Sequence, residues 1–363
     1  MSTPRNEGKA RAVLALAVVL GLATASIPFF LTPPAYLDLV LRDPVLAQDL
    51  GGQRVIVSDD ATGKQISAAV EKIGGAFLAR IGRINSGKTA YTARLEGYKP
   101  AAAHVQAAAL ERVRLPLDLK PIFGRLDIAT VDATKLDEPV PAVVREGNKA
   151  FSQSPERLVS VTLPPGRHQL SAQAAGFCPT TREFDVREGA VTKVAFPLSP
   201  DLKEDEIARF VLYWPNEPRD LDSHFRRLGT SGFPNPAHVF FRNKLGTTEG
   251  GAIFARLDVD ELYPGRYETV TVRSAAVGDY EYFVHLYAGL GTLGGSGATV
   301  QLYTHGCDVK TYNVPRDCAQ RIWAVTTLHN SGGHVAFTDQ DHCEAGYSSP
   351  LSAVKEALQT LAR

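Results

Sequence analysis

The sequence predicts a mostly β protein, with an N-terminal transmembrane helix, two small tandem β-sandwich modules, and a larger C-terminal β-sandwich with a short terminal helix. Three observations predict this: an uncharged apolar run near the N-terminus, many short stretches of alternating polar and apolar residues, and frequent turn residues, including 31 Gly and 23 Pro. A chain of 363 residues has room for two or three domains. Its 39 basic and 39 acidic residues balance, so no global charge favours nucleic acid as a partner.

The predicted organisation follows these composition changes along the chain. Its parts are a cytoplasmic tail (1–11), a transmembrane anchor or signal peptide (12–31), a tether (32–52), a first module (53–120), a second module (121–200), a sandwich (201–345) and a C-terminal helix (346–363). The last of these has an apolar stripe at helical spacing and is expected to pack on the sandwich.

Residues 12–31 carry no charge and follow Arg5, Lys9 and Arg11. Twenty helical residues span about 30 Å, the thickness of a bilayer core, and preceding positive residues stay cytoplasmic. A cleaved signal peptide is the alternative, because residues 23–25 form an Ala-Thr-Ala site. Either way the bulk of the chain is expected in the periplasm or cell exterior, anchored to the inner membrane or secreted, where its four cysteines can pair.

Two stretches repeat a layout of turn, strand, Gly-aromatic turn and strand with a period of about 80 residues. In the second stretch the layout is carried by residues 163–168 (Leu-Pro-Pro-Gly-Arg-His), Gly176-Phe177 and residues 187–189 (Arg-Glu-Gly). This stretch resembles a PEGA-type module, and the first stretch resembles one more loosely. The resemblance implies small extracytoplasmic β-sandwiches that act as spacers or binding modules. The first stretch departs from the pattern at residues 62–73, where a helix is the alternative.

Residues 82–89, Gly-Arg-Ile-Asn-Ser-Gly-Lys-Thr, fit the phosphate-binding pattern G-x-x-x-x-G-K-[ST]. Such a loop works only between a strand and the N-terminus of a helix. Here residues 91–95 alternate as a strand does, and Gly97 and Pro100 would break a helix. A turn between strands is therefore favoured over a nucleotide site.

The C-terminal block contains several short motifs separated by turns. They are residues 218–224 (Pro-Arg-Asp-Leu-Asp-Ser-His), 257–260 (Leu-Asp-Val-Asp), 268–271 (Glu-Thr-Val-Thr), 278–285 (Gly-Asp-Tyr-Glu-Tyr-Phe-Val-His) and 296–300 (Ser-Gly-Ala-Thr-Val). Together they resemble the YfaP-type domain of bacterial exported proteins, whose function is uncharacterised. The resemblance implies a β-sandwich and an extracytoplasmic compartment, and it implies no activity. The family's usual Tyr-Gly-Pro-Glu-Thr is altered here at residues 264–269, although the acid, Glu268, is kept.

Metal-capable side chains alternate along two extended stretches of this block, so each set is expected on one face of its strand. The candidate ligands are Asp220, Asp222, His224, Asp258 and Asp260, with His238 and Glu268 as outer candidates. Carboxylates combined with imidazoles suit a divalent cation, Ca²⁺ where oxygens dominate and Zn²⁺ where histidines contribute. The alternative is that these acids hydrogen-bond turn N–H groups or pair with neighbouring arginines. No catalytic or cofactor-binding residue is predicted.

The order of the predicted strands indicates one disulfide. Cys307 precedes a strand at residues 310–314 and Cys318 follows it. The strand therefore separates the two cysteines by about 20 Å, a distance that a disulfide cannot bridge. Two further strands bring Cys343 to the end of the sheet where Cys318 lies. We therefore expect a bond between Cys318 and Cys343, while Cys178 and Cys307 either pair between domains or stay free.

Together these observations predict a non-catalytic, membrane-anchored extracytoplasmic binding or scaffolding protein with a candidate divalent-cation site. An envelope protein or polysaccharide is the expected partner. The alternative is a metal-dependent enzyme that acts on cell-envelope polymer. A ligand face at an exposed rim would favour the first function, and a deep pocket containing His224 would favour the second.

Overall fold

The computed structural model describes residues 33–152, 154–229 and 237–344. The predicted cytoplasmic tail, membrane helix and C-terminal helix lie outside these residues. Within them no helix is long and apolar enough to cross a membrane. Almost every element in this part of the chain is a strand, which confirms the mostly β fold class. The chain divides into two compact units, and the described residues of the first are 33–124 and 188–190.

The first unit is built on one seven-stranded sheet, in the order β6-β5-β2-β3-β4-β1-β7. The strands are β1 (Ala35–Arg42), β2 (Arg54–Asp59), β3 (Gln65–Ile73), β4 (Ala76–Ile84), β5 (Gly87–Arg94), β6 (Ala101–Ala107) and β7 (Arg112–Asp118). Alternating apolar residues from these strands form a single core.

Three expectations for this unit are corrected or settled by the strand pairing. The segment predicted as a tether contains β1, which pairs with β4 and β7 and buries Leu37, Leu39 and Leu41. The possible helix at residues 62–73 is strand β3. The chain after Lys88 continues as strand β5, so the helix that a phosphate-binding loop requires is replaced by a strand.

The second unit begins with the second module. Its strands are β8 (Gly124–Asp132), β9 (Val143–Glu146), β10 (Lys149–Ala150), β11 (Leu158–Leu163), β12 (Gly166–Gln173), β13 (Thr180–Val186) and β14 (Val191–Leu198). They form a four-stranded sheet, β10-β9-β12-β13, and a three-stranded sheet, β11-β8-β14. The inner faces of these sheets pack together through residues such as Ile128, Leu170 and Phe196.

The C-terminal sandwich completes the second unit with a six-stranded sheet, β18-β19-β20-β15-β22-β23, and a five-stranded sheet, β17-β16-β21-β24-β25. The elements are β15 (Glu206–Trp214), β16 (Asp220–Arg227), β17 (His238–Val239), β18 (Leu245–Thr247), β19 (Ile253–Val259), β20 (Arg266–Arg273), β21 (Gly278–Ala288), α1 (Leu293–Ser296), β22 (Thr299–Thr304), β23 (Asp308–Asn313), β24 (Ile322–Asn330) and β25 (Val335–Glu344). The sheets meet in an aromatic core, in which Phe210 stacks on Tyr282 with ring centroids 4.2 Å apart.

The second module packs against the outer face of the six-stranded sheet. Tyr267 donates its hydroxyl to the backbone oxygen of Lys135 at 2.8 Å, and Val211 and Tyr303 share a buried cluster with Val131. A disulfide between Cys178 and Cys307 adds a covalent link. The module and the sandwich therefore form one compact unit.

Both disulfides lie in this second unit. The predicted bond between Cys318 and Cys343 is confirmed, with Cα atoms 5.7 Å apart. The sequence left open whether Cys178 and Cys307 pair between domains or stay free. They form a disulfide that joins the second module to the sandwich. Because disulfides persist in oxidising compartments, the two bonds indicate an extracytoplasmic protein.

Removing the Cys318–Cys343 bond is expected to destabilise the sandwich. The bond closes a loop with a sequence separation of 25, and its loss restores chain entropy to the unfolded state worth about 3.5 kcal/mol. Both tryptophans of the chain, Trp214 and Trp323, lie in the sandwich core, so their fluorescence during urea unfolding reports on this domain. The double variant Cys318→Ala, Cys343→Ala should unfold at lower urea than the wild type. An unchanged midpoint would contradict the expectation.

Candidate metal centre

Strand β16 separates two sets of side chains. Leu221 and Phe225 enter the aromatic core, and the Ser223 hydroxyl lies 2.9 Å from that of Tyr282. The opposite face carries Asp220, Asp222 and His224, as their alternation predicts. These three are only 2%, 3% and 5% exposed, so the face is buried rather than rim-exposed.

Two further histidines surround His224. His238 of β17 lies with its Nε2 atom 2.9 Å from Nδ1 of His224. His285 of β21 is the cross-strand partner of Asp222. Single ligand atoms from Asp222, His224 and His285 all lie within 4.8 Å of one another, and this set is called the imidazole group below.

Three carboxylates meet on the other side of Asp222. Glu268 extends from β20 in the facing sheet, is fully buried, and accepts a 2.6 Å hydrogen bond from the backbone N–H of Ser223. Asp260 follows β19 and pairs with Lys244 at 2.7 Å. Ligand atoms of Asp222, Asp260 and Glu268 again lie within 4.8 Å of one another. This set is called the carboxylate group, and Asp222 belongs to both groups.

Asp258 lies apart from both groups, although its spacing from Asp260 suggested a shared face. A register shift between Leu257 and Val259 breaks the alternation of β19. Burial raises the pKa of the Asp258 carboxyl, and a hydrogen bond with Thr271 and the charge of Arg209 oppose that rise. Those residues belong to β20 and β15, so Asp258 serves a different polar cluster.

His285 is a site residue that the sequence did not single out. It ends a predicted strand, and its immediate neighbours at alternate spacing along β21 are Phe283 and Tyr287, so no Asp-x-His or His-x-His pair marks it. Its place beside Asp222 follows only from the register between β16 and β21. Asp220 and His238 lie at the edge of the centre, outside both three-residue groups.

The acids of the centre are held in an unfavourable environment. Burial, together with the negative charges of Asp220 and Asp260, raises the pKa of Asp222 to about 8. Burial and the charge of Asp222 raise the pKa of Glu268 well above its ordinary value. Asp220 Oδ1 and Asp222 Oδ2 are buried without a hydrogen-bond partner among the described residues. Such groups cost several kcal/mol unless something compensates them.

The histidines shift in the opposite direction. Burial is the main cause and lowers the pKa of His238 and of His285 to about 4. The same effect lowers the pKa of His224 well below its ordinary value. Neutral imidazole is the form that binds metal ions, so these side chains are available as ligands at neutral pH.

Two other features are separate from this centre. Cys178, Asp201 and Cys307 also approach one another closely enough to hold an ion, but the two cysteines are joined in a disulfide. A cleft of about 370 Å³ lies at the other end of the sandwich and contains none of the residues above. Its lining residues are Ile207, Leu302, Thr304, His305, Asp308, Lys310, Val335 and Phe337.

No protein-family model matches the sequence, and no curated protein matches it. Among solved structures, the chain is similar over 79% of its length to the Bacillus anthracis TIE protein, with 13% identity and a TM-score of 0.26. It spans 49% of that chain, about half its length. A homologue of the telluride resistance protein TerD from Streptomyces coelicolor A3(2) covers 40% of the chain with 94% of its own length, at 16% identity and a TM-score of 0.30. A putative cell adhesion protein from Bacteroides thetaiotaomicron covers 45% at 14% identity and a TM-score of 0.24.

The pH dependence of folding tests the state of Asp222 without any metal. Its carboxyl has an ordinary pKa of 3.8 and a folded pKa of about 8, so the folded state keeps a proton that the unfolded chain releases. The resulting stability is complete below pH ~4 and is lost as pH rises through about 8. In EDTA, the stability that Asp222 contributes should therefore fall by about 3–4 kcal/mol between about pH 5 and about pH 8. The three histidines, whose pKa values burial lowers, contribute in the opposite direction over that range. The quantity to compare is therefore the unfolding free energy of the wild type minus that of Asp222→Asn, which should fall by this amount as pH rises.

Urea unfolding followed by tryptophan fluorescence measures this difference. Asp339→Asn is the matched control, because Asp339 is an exposed acid paired with Lys310 and should leave the pH profile near that of the wild type. Parallel profiles for the wild type and Asp222→Asn would show that Asp222 is not held protonated.

Proposed function

We propose that the protein is a non-catalytic, membrane-anchored extracytoplasmic binding or scaffolding protein whose C-terminal sandwich holds a divalent cation at Asp222 and its neighbours. The observation that carries the proposal is the Asp222 carboxylate, which is 3% exposed, has an oxygen without a hydrogen-bond partner in the described chain, and belongs to both ligand groups.

A cation resolves the electrostatic problem that the fold creates. The negative charges of Asp220 and Asp260 act on Asp222, and those of Asp222 and Asp260 act on Glu268. Lys244 pairs with Asp260 and the charge of Arg219 acts on Asp220, whereas neither pairs with Asp222 or Glu268 in the described chain. A buried acid without a partner is among the most destabilising groups a protein can carry. A divalent ion supplies the missing positive charge and fills the open coordination sites of the carboxylate oxygens.

Burial favours a structural ion over a catalytic one, although the face is not the exposed rim expected of a binding protein. A catalytic metal keeps a coordination position that the substrate can reach. Here Asp222 and Glu268 are almost completely enclosed, and an envelope polymer could not contact an ion held between them. An enclosed ion would instead join β16 to β20 and so stabilise the sandwich.

The cellular location rests on separate support. The two disulfides indicate an extracytoplasmic protein, and the uncharged run at residues 12–31 favours attachment to the inner membrane. The PEGA-like and YfaP-like motifs fit a scaffold of this kind, with an envelope protein or polysaccharide as partner.

The metal content of the purified protein tests the proposal. We expect full-length protein prepared without chelators to contain at least about one equivalent of a divalent metal, because buried carboxylates and neutral imidazoles retain such ions. Asp222→Asn should contain almost none, and Asp339→Asn should match the wild type. Elemental analysis gives the content, and thermal unfolding before and after EDTA gives the stabilisation.

Two results would contradict the proposal. One is equal, negligible metal in all three proteins, combined with no rise in unfolding temperature when Ca²⁺, Mn²⁺ or Zn²⁺ is added back. The other is metal that remains bound in Asp222→Asn, which would place the ion elsewhere.

A further inference from the structure

Asp222 is shared by two ligand groups of different chemistry. We propose that the metal centre contains two subsites that meet at Asp222: a carboxylate subsite for hard, oxygen-preferring cations such as Ca²⁺, and an imidazole subsite for borderline cations such as Zn²⁺. This inference rests on the proposed function and adds which cation each part of the centre selects.

The carboxylate subsite is formed by Asp222, Asp260 and Glu268, which come from β16, from the chain after β19 and from β20. Their ligand atoms lie within 4.8 Å of one another. Two oxygens that bind the same Ca²⁺ ion at 2.3–2.6 Å are at most about 5 Å apart, so the group fits around one such ion. Oxygen-only ligands favour Ca²⁺ over Zn²⁺.

The imidazole subsite is formed by Asp222, His224 and His285, all on one face of the five-stranded sheet. Asp222 and His285 are directly opposite on β16 and β21, and His224 is the next residue on that face of β16. Their ligand atoms also meet the 4.8 Å limit. Two histidine nitrogens with one carboxylate oxygen form a common zinc ligand set.

Residues around His224 hold its ring in place for this role. His238 hydrogen-bonds one ring nitrogen of His224, and here it takes the place that a carboxylate, a carbonyl or a water usually has in orienting a metal-binding histidine. Phe283 and Phe240 stack on the ring, with centroids 4.6 and 5.5 Å away. The ring is therefore fixed before any ion arrives.

The position of Asp222 explains why the groups form two subsites. Glu268 comes from the facing sheet and has a ligand atom within 4.8 Å of one of Asp222, whereas His285 approaches Asp222 from the neighbouring strand of its own sheet. Asp222 is 97% buried, since its exposure is 3%, and its Oδ2 atom lacks a hydrogen-bond partner within the described residues. A carboxylate has two oxygens, and it can direct one toward each group.

Each subsite has one partly buried residue that the other lacks, and this permits a selective test. Isothermal titration of the EDTA-stripped full-length protein with Ca²⁺ and with Zn²⁺ compares the wild type with Asp260→Asn and His285→Gln. Asp260→Asn should weaken Ca²⁺ binding at least about tenfold and change Zn²⁺ binding less than about threefold, because only the carboxylate subsite loses a ligand. His285→Gln should show the reverse, and Asp222→Asn should weaken both.

Controls separate ligand loss from other effects. Lys244→Met removes the partner of Asp260 but no ligand, and it should keep both affinities within about threefold of wild type. The cation that each variant still binds shows that the variant is folded. His285→Phe repeats the imidazole test with a ring that preserves the packing against Tyr287.

The outcomes distinguish this inference from the proposed function. If the variants lose both cations by the same factor, or if the wild type binds only one of the two, the centre is a single site and the two-subsite inference fails while cation binding stands. If the wild type binds neither cation, both proposals fail.

Discussion

The hydrogen bond from the Ser223 N–H to the Glu268 carboxylate is the contact on which the centre depends. It crosses the sandwich, because Ser223 belongs to the five-stranded sheet and Glu268 to the six-stranded one. A second backbone N–H, that of Glu261, donates to the other Glu268 oxygen at 3.3 Å. Glu268 is therefore bonded both to β16 and to the segment that carries Asp260, so it fixes the distance between them. Asp222 and Asp260 lie close to it. An isolated buried acid would be expelled or neutralised, but this one is retained because it accepts backbone donors that would otherwise lack partners.

The period-2 pattern of the sequence predicted which face of β16 carries Asp220, Asp222 and His224. It succeeded because Leu221 and Phe225 are strongly apolar and commit the other face to the core. It could not identify His285, whose place beside Asp222 is set by strand register, and it misplaced Asp258, because a register shift in β19 interrupts the alternation. Strand β1 was missed although Leu37, Leu39 and Leu41 alternate as in a strand. The prolines on either side, at positions 33, 34 and 44, were interpreted as a tether, and the pairing with β7, some seventy residues later in the chain, could not be predicted from local sequence.

The cysteines show where strand order alone was sufficient. Cys318 and Cys343 were paired by counting strand directions, and the structure joins them. The bond between Cys178 and Cys307 depended instead on how the second module meets the sandwich. That contact buries Val211, Tyr267 and Tyr303 on the outer face of the six-stranded sheet, a face that would be solvated in an isolated sandwich. The apolar outward residues of β15 and β22 were the available signal, and they indicate a sheet covered on both sides.

The shifted pKa values of the centre have a common consequence for its state without a metal. Burial favours the neutral form of every ionisable group, so Asp222 and Glu268 tend to keep their protons while His238 and His285 lose theirs. The empty centre can thus remain buried with little net charge, and the sandwich need not open when no ion is present.

A cation that enters such a site replaces protons on the acids and finds the imidazoles already deprotonated. Protons and cations therefore compete at Asp222 and Glu268, whereas the histidines impose no such competition at neutral pH. Both ligand groups meet at Asp222, so in the proposed metal centre a proton on this carboxyl would compete with a cation at either group.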